Sequence, residues 1–303
     1  MIITRIMPAA GMGNQMFMYA AGLSISSRLG TELRLGTADF DIGTRIDRPY
    51  VLDCFPKITE KQASFSETFR ICPKMAFKDF KSGKNMLWRL KYGTAAKFLH
   101  HKGLYFPKWC SWSPEFENVP DNTYIMGYWE SERIFRDIAG LVRRKFAFSQ
   151  ECFNPELSEK VKSCNSIAIH VRRGDKVSGS SRLYASDEHY IRLAIEKLSS
   201  LTQNPSFFVF SDDIDWCKHN LPNILNAEYT FIEGQTPAQD MALMTLCKHV
   251  IVGVSTFSWW GAWLNENPDK IVIAPDINFW FRPDTFSYDD RKYLLPESWI
   301  KIH

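Results

Sequence analysis

The sequence predicts an α/β protein made of two doubly wound parallel sheets, and three observations carry that expectation. Its 303 residues, set against roughly 150 for a typical domain, give two units that are each large enough for a core. A strand, helix and second strand are legible in the first residues, between Ile2 and Leu35. From Ser166 to Ala274 short apolar runs alternate with helix-period segments, which is the pattern of parallel strands joined by crossover helices. Such sheets bind ligands beyond the carboxyl ends of their strands, so the segments after Val171, Phe210 and Val254 are expected to converge.

Ile2 to Ile6 reads as the first strand, Gly11 to Gln15 as a Gly-rich turn, and Met16 to Leu29 as a helix that Gly30 ends. Leu33 and Leu35 alternate with charges as a second strand. Residues 36 to 120 read as irregular connections and short helices holding Trp88, Tyr105, Phe106, Trp109 and Trp112. Tyr124 to Tyr128 is the next expected strand. Glu130 to Phe146 is expected as one helix, with Arg143, Arg144 and Lys145 in its last turns, where the dipole favours cations. A boundary follows near 148 to 163, giving domains 1–155 and 156–303. In the second, Ile167, Ile169 and Val171 line one strand face, and Ile191, Ala194, Ile195 and Leu198 lie at helical spacing on a helix begun by Ser186. Phe207 to Phe210 is a strand, Asp213 to Asn220 a short helix, and Tyr229 to Ile232 a strand. Thr236 and Pro237 stand as N-cap and first residue of a helix running to about His249. Val250 to Val254, a loop at Ser255 to Ser258, a Trp-rich helix and the strand Ile271 to Ala274 complete the order.

Composition narrows the function. With 45% hydrophobic and 23% charged residues and a net charge of +3, the chain is globular and lacks the polybasic field of a nucleic-acid binder. Seven cysteines without a CxxC pair indicate neither a disulfide framework nor a zinc site, and fit a reducing compartment. Arg5, Asn14 and Gln15 interrupt the opening residues, so no signal peptide is expected. The most apolar tract, Val250 to Leu264, carries Ser255, Thr256 and Ser258 and falls short of the ~18 residues a spanning helix needs. Aromatics reach 14% with ten Trp; such rings read first as core and second as sugar platforms.

Four clusters carry chemistry. Gly11-Met12-Gly13-Asn14-Gln15 follows a strand and opens a helix, so its N–H groups suit a phosphate, while Met16 stands where a dinucleotide fingerprint needs glycine and disfavours NAD. His170-Val171-Arg172-Arg173-Gly174-Asp175 puts two permanent cations at a strand mouth, which calls for an anion. The competing reading has one arginine in water and the other on Asp175. His170, a lone histidine on a strand, reads by default as a satisfied core residue. Ser211-Asp212-Asp213 suits a ribose hydroxyl or the N–H edge of guanine, or a helix N-cap, or both. Ser255-Thr256-Phe257-Ser258 offers hydroxyls and N–H groups to a phosphate, against plain capping by Ser258. The DxD patterns Asp39/Asp41 and Asp213/Asp215 occur at the rate the aspartate content gives by chance, so no metal is assigned. No GxSxG elbow, HExxH helix or GxxxxGK[ST] loop is present. A nucleoside diphosphate held in a cleft between two domains accounts for all four clusters.

The blocks GMGNQMFMYAAG (11 to 22), YVLDCF (50 to 55), GYWESERIF (127 to 135), HVRRGDKV (170 to 177), FSDDIDWC (210 to 217) and QDMALMTLCKH with VSTFSWWGAWLN (239 to 265) resemble those of the bacterial α-1,2-fucosyltransferases of glycosyltransferase family 11, in order along nearly the whole chain. The resemblance implies a GT-B-like pair of Rossmann-like domains facing a cleft, and GDP-β-L-fucose as donor. It further implies inversion, the 2-hydroxyl of a terminal β-galactose as acceptor, and no metal or other cofactor. It also implies a bacterial cytoplasmic enzyme without a membrane anchor, at most peripheral to the inner membrane face. Arg172 and Arg173 would neutralise the leaving β-phosphate, helped by N–H groups near Gly13 and Ser258. His170 and one of Asp212 and Asp213 would hold ribose and guanine, and Gly11, Asn14, Gln15, Ser211, Ser255 and Thr256 complete the expected donor site. Asp175 is the first choice for the base, with Asp187, Glu188 and Asp39 in reserve. Two rival readings remain, another linkage or another GDP-linked sugar, and a nucleotide-sugar binder without turnover. The sequence leaves the oligomeric state open.

Overall fold

Ile2, Ile3, Thr4 and Arg5 are all buried, as a strand covered on both faces must be. They form β1 (Ile2–Arg5) at the centre of the first of two parallel sheets in the computed structural model. The structure describes residues 1–8, 10–41, 48–79, 103–105, 112–174, 186–224, 227–280 and 291–302. Two compact units divide at Ala147/Phe148. The division precedes the expected 155/156 because the helix Pro155–Ser163 packs against the helix Pro237–Leu246 of the second unit.

The first unit has β2 (Leu33–Gly36), β3 (Leu104–Tyr105) and β4 (Thr123–Ile125) in the order β2-β1-β4-β3, all parallel. The helix Met12–Leu29 lies on β1 and begins directly after Gly11, four residues earlier than its apolar pattern suggests. Gly30, left-handed at φ 60°, ends it as expected. Gly22 is obligatory there, since a Cβ would stand 2.6 Å from Thr4 Cβ, and Thr4 Oγ1 donates to the Met18 carbonyl at 2.8 Å. The short helices Phe65–Ile71 and Pro73–Asp79 fall in the stretch read as irregular connections and short helices, as expected; Trp88, Phe106 and Trp109 lie outside the described residues.

The single helix expected over 130 to 146 is not formed. Two 3-10 turns, Glu132–Ile134 and Arg136–Ile138, precede the short helix Ala139–Lys145. Trp129 takes a left-handed φ of 59°, and Phe135 leaves the helical region at φ −134° to pack on Phe17. Burial of these two rings outweighs the helical preference of the residues between them.

The second unit has β5 (Asn165–Val171), β6 (Pro205–Ser211), β7 (Glu228–Phe231), β8 (His249–Ile251), β9 (Val272–Pro275) and β10 (Ile300–Ile302), in the parallel order β10-β9-β8-β5-β6-β7. Ile167, Ile169 and Val171 join Ile191, Ile195 and Leu198 in one core, as their spacing predicts. The helix Glu188–Leu201 is capped by Asp187, whose Oδ1 accepts the Tyr190 amide at 2.7 Å, and not by Ser186. Thr236 and Pro237 open the helix Pro237–Leu246 as expected, with Gln239 closing a capping box. Trp259, Trp260 and Trp263 on the helix Thr256–Leu264 are buried, so this aromatic run is core. The chain steps outward from β5 to β7 and returns with β8 on the other side of β5. Strand order therefore reverses between β5 and β8, and their carboxyl ends open the crevice in which doubly wound sheets bind ligands. Among the described residues no helix is long and apolar enough to cross a membrane.

Candidate functional site

Residues after β5, β6 and β8 meet at that crevice. Arg172 and Arg173 follow β5, and each is half-buried and tied to a carboxylate at the end of β6. Arg172 Nη1 lies 2.6 Å from Asp212 Oδ2. Arg173 donates its amide to Asp212 Oδ1 at 2.8 Å and Nη1 to the Ser186 carbonyl at 3.3 Å. Its Nε stands 3.5 Å from Asp213 Oδ2, an ion pair without hydrogen-bond geometry, and its guanidinium lies 4.0 Å over the Trp216 ring. Two cations in one strand mouth are thus directed by two anions.

The aspartate pair, expected to meet ribose and guanine, has other partners here. Asp212 holds the arginines, and Asp213 caps the helix Ile214–Asn220 by accepting from the Trp216 amide at 3.3 Å. The N-cap alternative therefore holds for Asp213, and the carboxylates keep only their second lone pairs for a ligand. Gly174 makes room for the arrangement, since a Cβ would lie 2.5 Å from Asp212 Oδ2. Ser211 is structural, because its hydroxyl donates to the Val171 carbonyl at 2.8 Å and accepts from the Asp213 amide at 2.9 Å.

His170 departs from the default of a satisfied core residue. It is 8% exposed, and its Nδ1 finds no hydrogen-bond partner among the described residues. Burial, with the Arg172 charge adding to it, pushes its pKa down to about 4, so it is neutral at physiological pH. Its ring packs 5.6 Å from Phe257. Gly253 lets β8 approach, since a Cβ would stand 2.4 Å from the His170 carbonyl oxygen and 2.9 Å from Nδ1. Tyr190 locks the far side, donating its hydroxyl to the Val252 carbonyl at 2.6 Å.

Beyond β8, Ser255 is the cap of the helix Thr256–Leu264 and accepts the Phe257 amide at 3.2 Å. Ser258 is fully buried inside that helix and donates to the Ser255 carbonyl at 3.2 Å, so its hydroxyl does not face a ligand and it is not the cap. Thr256 and Phe257 remain partly exposed at the helix start. In the first unit Gly11 caps the helix Met12–Leu29, which places Gly13, Asn14 and Gln15 in its first turn and not in a loop. The Gln15 side chain is fully buried. It donates to the Ala10 and Pro49 carbonyls at 2.9 and 2.8 Å and accepts the Val51 amide at 3.1 Å, and its own amide bonds Gly11. Gln15 therefore holds protein backbone, and no group of it is left for a donor.

Asp175 lies outside the described residues, as do the side chains of Asp39 and Asp41. Of the reserve carboxylates, Asp187 is the cap described above and Glu188 pairs with Arg192 at 2.7 Å. Sequence reasoning missed Ser186, whose hydroxyl accepts the Arg172 amide at 3.1 Å and whose amide donates to the Arg172 carbonyl at 2.8 Å. It also missed Asp240, in the first turn of the helix Pro237–Leu246, which starts on the carboxyl side of the sheet. Asp240 Oδ1 has no partner among the described residues, and burial pushes its pKa up to about 7. Among the described residues no group of His, Cys, Asp and Glu is placed to hold a metal ion.

Residues 73–302 match the family described as "Glycosyl transferase family 11". The chain is 30% identical over 317 residues to an α-1,2-colitosyltransferase of Escherichia coli, with 97% of each chain covered. It is 32% identical over 149 residues to the human galactoside α-(1,2)-fucosyltransferase 1, covering 45% of this chain and 38% of that one. Among solved structures it is similar to the NodZ α-1,6-fucosyltransferase soaked with GDP-fucose, with a TM-score of 0.51 at 15% identity over 92% of this chain and 95% of that one. That likeness is one of fold, which is α/β and GT-B-like.

Proposed function

The chain belongs to glycosyl transferase family 11, and from that premise we propose that it transfers L-fucose from GDP-β-L-fucose, with inversion, to the 2-hydroxyl of a terminal β-galactose. The observation that carries this reading is the guanidinium pair of Arg172 and Arg173, fixed by Asp212 and Asp213 at the switch point of the second sheet. As the bond from the anomeric carbon to the β-phosphate breaks, negative charge grows on the leaving GDP. Donors already aimed at that charge are worth ~3 to 4 kcal/mol each, and they do the work that a metal does in other transferases. Amides at the start of the helix Thr256–Leu264 add to the phosphate site. His170, the strand residue two before Arg172 and packed against Phe257, is the side chain assigned to the nucleoside.

The donor and linkage are supported by similarity to a galactoside α-(1,2)-fucosyltransferase, and the use of GDP-fucose by a protein of the same fold is in keeping with them. The test is incubation with GDP-fucose and lactose, N-acetyllactosamine or a galactosyl-β-1,3-linked acceptor, with products mapped by NMR. Fucose on the galactose 2-oxygen is the expected product. A second reading has its own support: the relative that matches across 97% of both chains is a colitosyltransferase, so the panel includes GDP-colitose. Turnover of that donor alone replaces the fucose reading with the second.

A further inference from the structure

β5 and β8 part where the crevice of the second sheet opens. The last residues their ladder pairs are Ile169 and Ile251, while on the other flank β5 stays paired to β6 as far as Val171 and Ser211. Arg172 therefore stands beyond the ladder on the β8 side, and its backbone groups need partners from elsewhere. One residue supplies them. The Ser186 hydroxyl accepts the Arg172 amide at 3.1 Å, and the Ser186 amide donates to the Arg172 carbonyl at 2.8 Å. The Ser186 carbonyl accepts from Arg173 Nη1 at 3.3 Å. Amide, hydroxyl and carbonyl of a single serine, itself 1% exposed, are thus all directed at the two arginines.

We infer that Ser186 is the positioning residue of the arginine pair, standing in for the missing strand at the mouth of the crevice and holding Arg172 and Arg173 in the direction that meets the leaving group. The inference rests on the transferase reading above, in which those guanidiniums meet the charge growing on GDP. Ser186 is itself a fixed point. It directly precedes Asp187, which opens the helix Glu188–Leu201 by accepting the Tyr190 amide at 2.7 Å. Tyr190 ties that helix start to the neighbouring strands, its hydroxyl lying 2.6 Å from the Val252 carbonyl oxygen and 3.3 Å from that of Ile273. Ile191, Ile195 and Leu198 of the same helix share a core with Ile167, Ile169 and Val171 of β5. Gly253 leaves the hydroxyl its room, since a Cβ there would stand 3.1 Å from Ser186 Oγ.

The pair is therefore gripped from both flanks. Asp212 directs Arg172 from the end of β6, and Ser186 fixes its backbone from the side of β8. Charge on the β-phosphate oxygen develops only as the glycosidic bond breaks, so a donor that is slightly misdirected loses more in the transition state than in the bound ground state. Loss of the serine hydroxyl should consequently appear in turnover and little in binding.

The test uses the full chain with Ser186→Ala and Ser186→Thr. Ser186→Ala should lower kcat by about tenfold or more, with acceptor KM and GDP affinity by calorimetry each changed by less than about threefold. Ser186→Thr keeps the hydroxyl and should hold kcat within about threefold of wild type. The alanine change is then repeated in Arg172→Ala, where the guanidinium it acts through is gone and the further loss should be less than about threefold. A hydroxyl that served the fold alone would cost the same factor in both backgrounds. Equal losses in the two backgrounds overturn the assignment and leave the transferase reading standing. So do near-wild-type kcat in Ser186→Ala, a fall in GDP affinity as large as the fall in kcat, a threonine variant no better than alanine, or failure of both serine variants to fold. Wild-type inactivity with every GDP-sugar and acceptor of the panel overturns both.

Discussion

The two oxygens of Asp212 divide between consecutive residues of the neighbouring strand end, Oδ2 meeting Arg172 Nη1 at 2.6 Å and Oδ1 accepting the Arg173 amide at 2.8 Å. One carboxylate thereby sets both the direction of a guanidinium and the backbone that carries the next one. Asp212→Asn keeps the shape and removes the charge, so Arg172 loses its anchor. The expected result is a fall in kcat/KM of about tenfold or more with the fold intact, read by steady-state kinetics beside circular dichroism.

Removing the arginines themselves is expected to cost more. Arg172→Ala and Arg173→Ala should each lower turnover by ~10² or more, the effect of deleting a donor to a developing oxyanion. Lysine should restore only part of it, since an ammonium reproduces neither the fork to Asp212 nor the stack on Trp216. Near-normal kcat/KM in both alanine variants would make the pair structural.

Charge on the leaving group is met by side chains in the proposed mechanism, so activity should persist in excess EDTA. A drop to background that Mn²⁺ restores would refute it.

Gly253 is a packing requirement of the site. Gly253→Ala would press a methyl group against the His170 carbonyl and ring, at 2.4 and 2.9 Å. Overpacking of this kind typically costs ~1 to 3 kcal/mol. Denaturant melts should show that loss, and GDP affinity should fall with it because His170 is displaced.

Asp240 makes stability depend on pH. Its pKa is raised from 3.8 to about 7, so the folded state holds the proton more tightly than the unfolded one. Stability is full below pH 3.8 and falls as pH rises towards 7. His170, lowered from 6.5 to about 4, acts in the opposite sense, its stabilising contribution being lost as pH falls from 6.5 to 4. Asp240→Asn should therefore melt higher than wild type at pH 8 and equally near pH 4.

Most of the second unit was legible because its strands are short apolar runs with caps that announce themselves, as Thr236 and Pro237 do. The first unit was less legible. Tertiary packing of Trp129 and Phe135 overrides the helical preference of residues 130 to 146, and β10 is three residues at a sheet edge, too short for a period. Of the site, the arginine pair stood out because adjacent cations at a strand end are rare without a purpose. The partners of Asp212 and Asp213 were not legible, since one carboxylate type serves ribose, arginine and N-cap alike. Asp240 was hidden for a related reason: an acid among polar neighbours reads as solvated, and its isolation exists only once the chain is folded.

The indole under Arg173 is also a fluorophore. Trp216 carries that guanidinium 4.0 Å above its ring, so any anion that draws on Arg173 changes the field at the chromophore and shifts its emission. The cluster of Trp259, Trp260, Trp263 and Trp299 sits in the core with ring centroids 5.1 to 6.3 Å apart. Trp216→Phe would remove that signal while keeping an aromatic face beneath the cation, so the emission of the two proteins on adding GDP reads whether the proposed phosphate site uses Arg173.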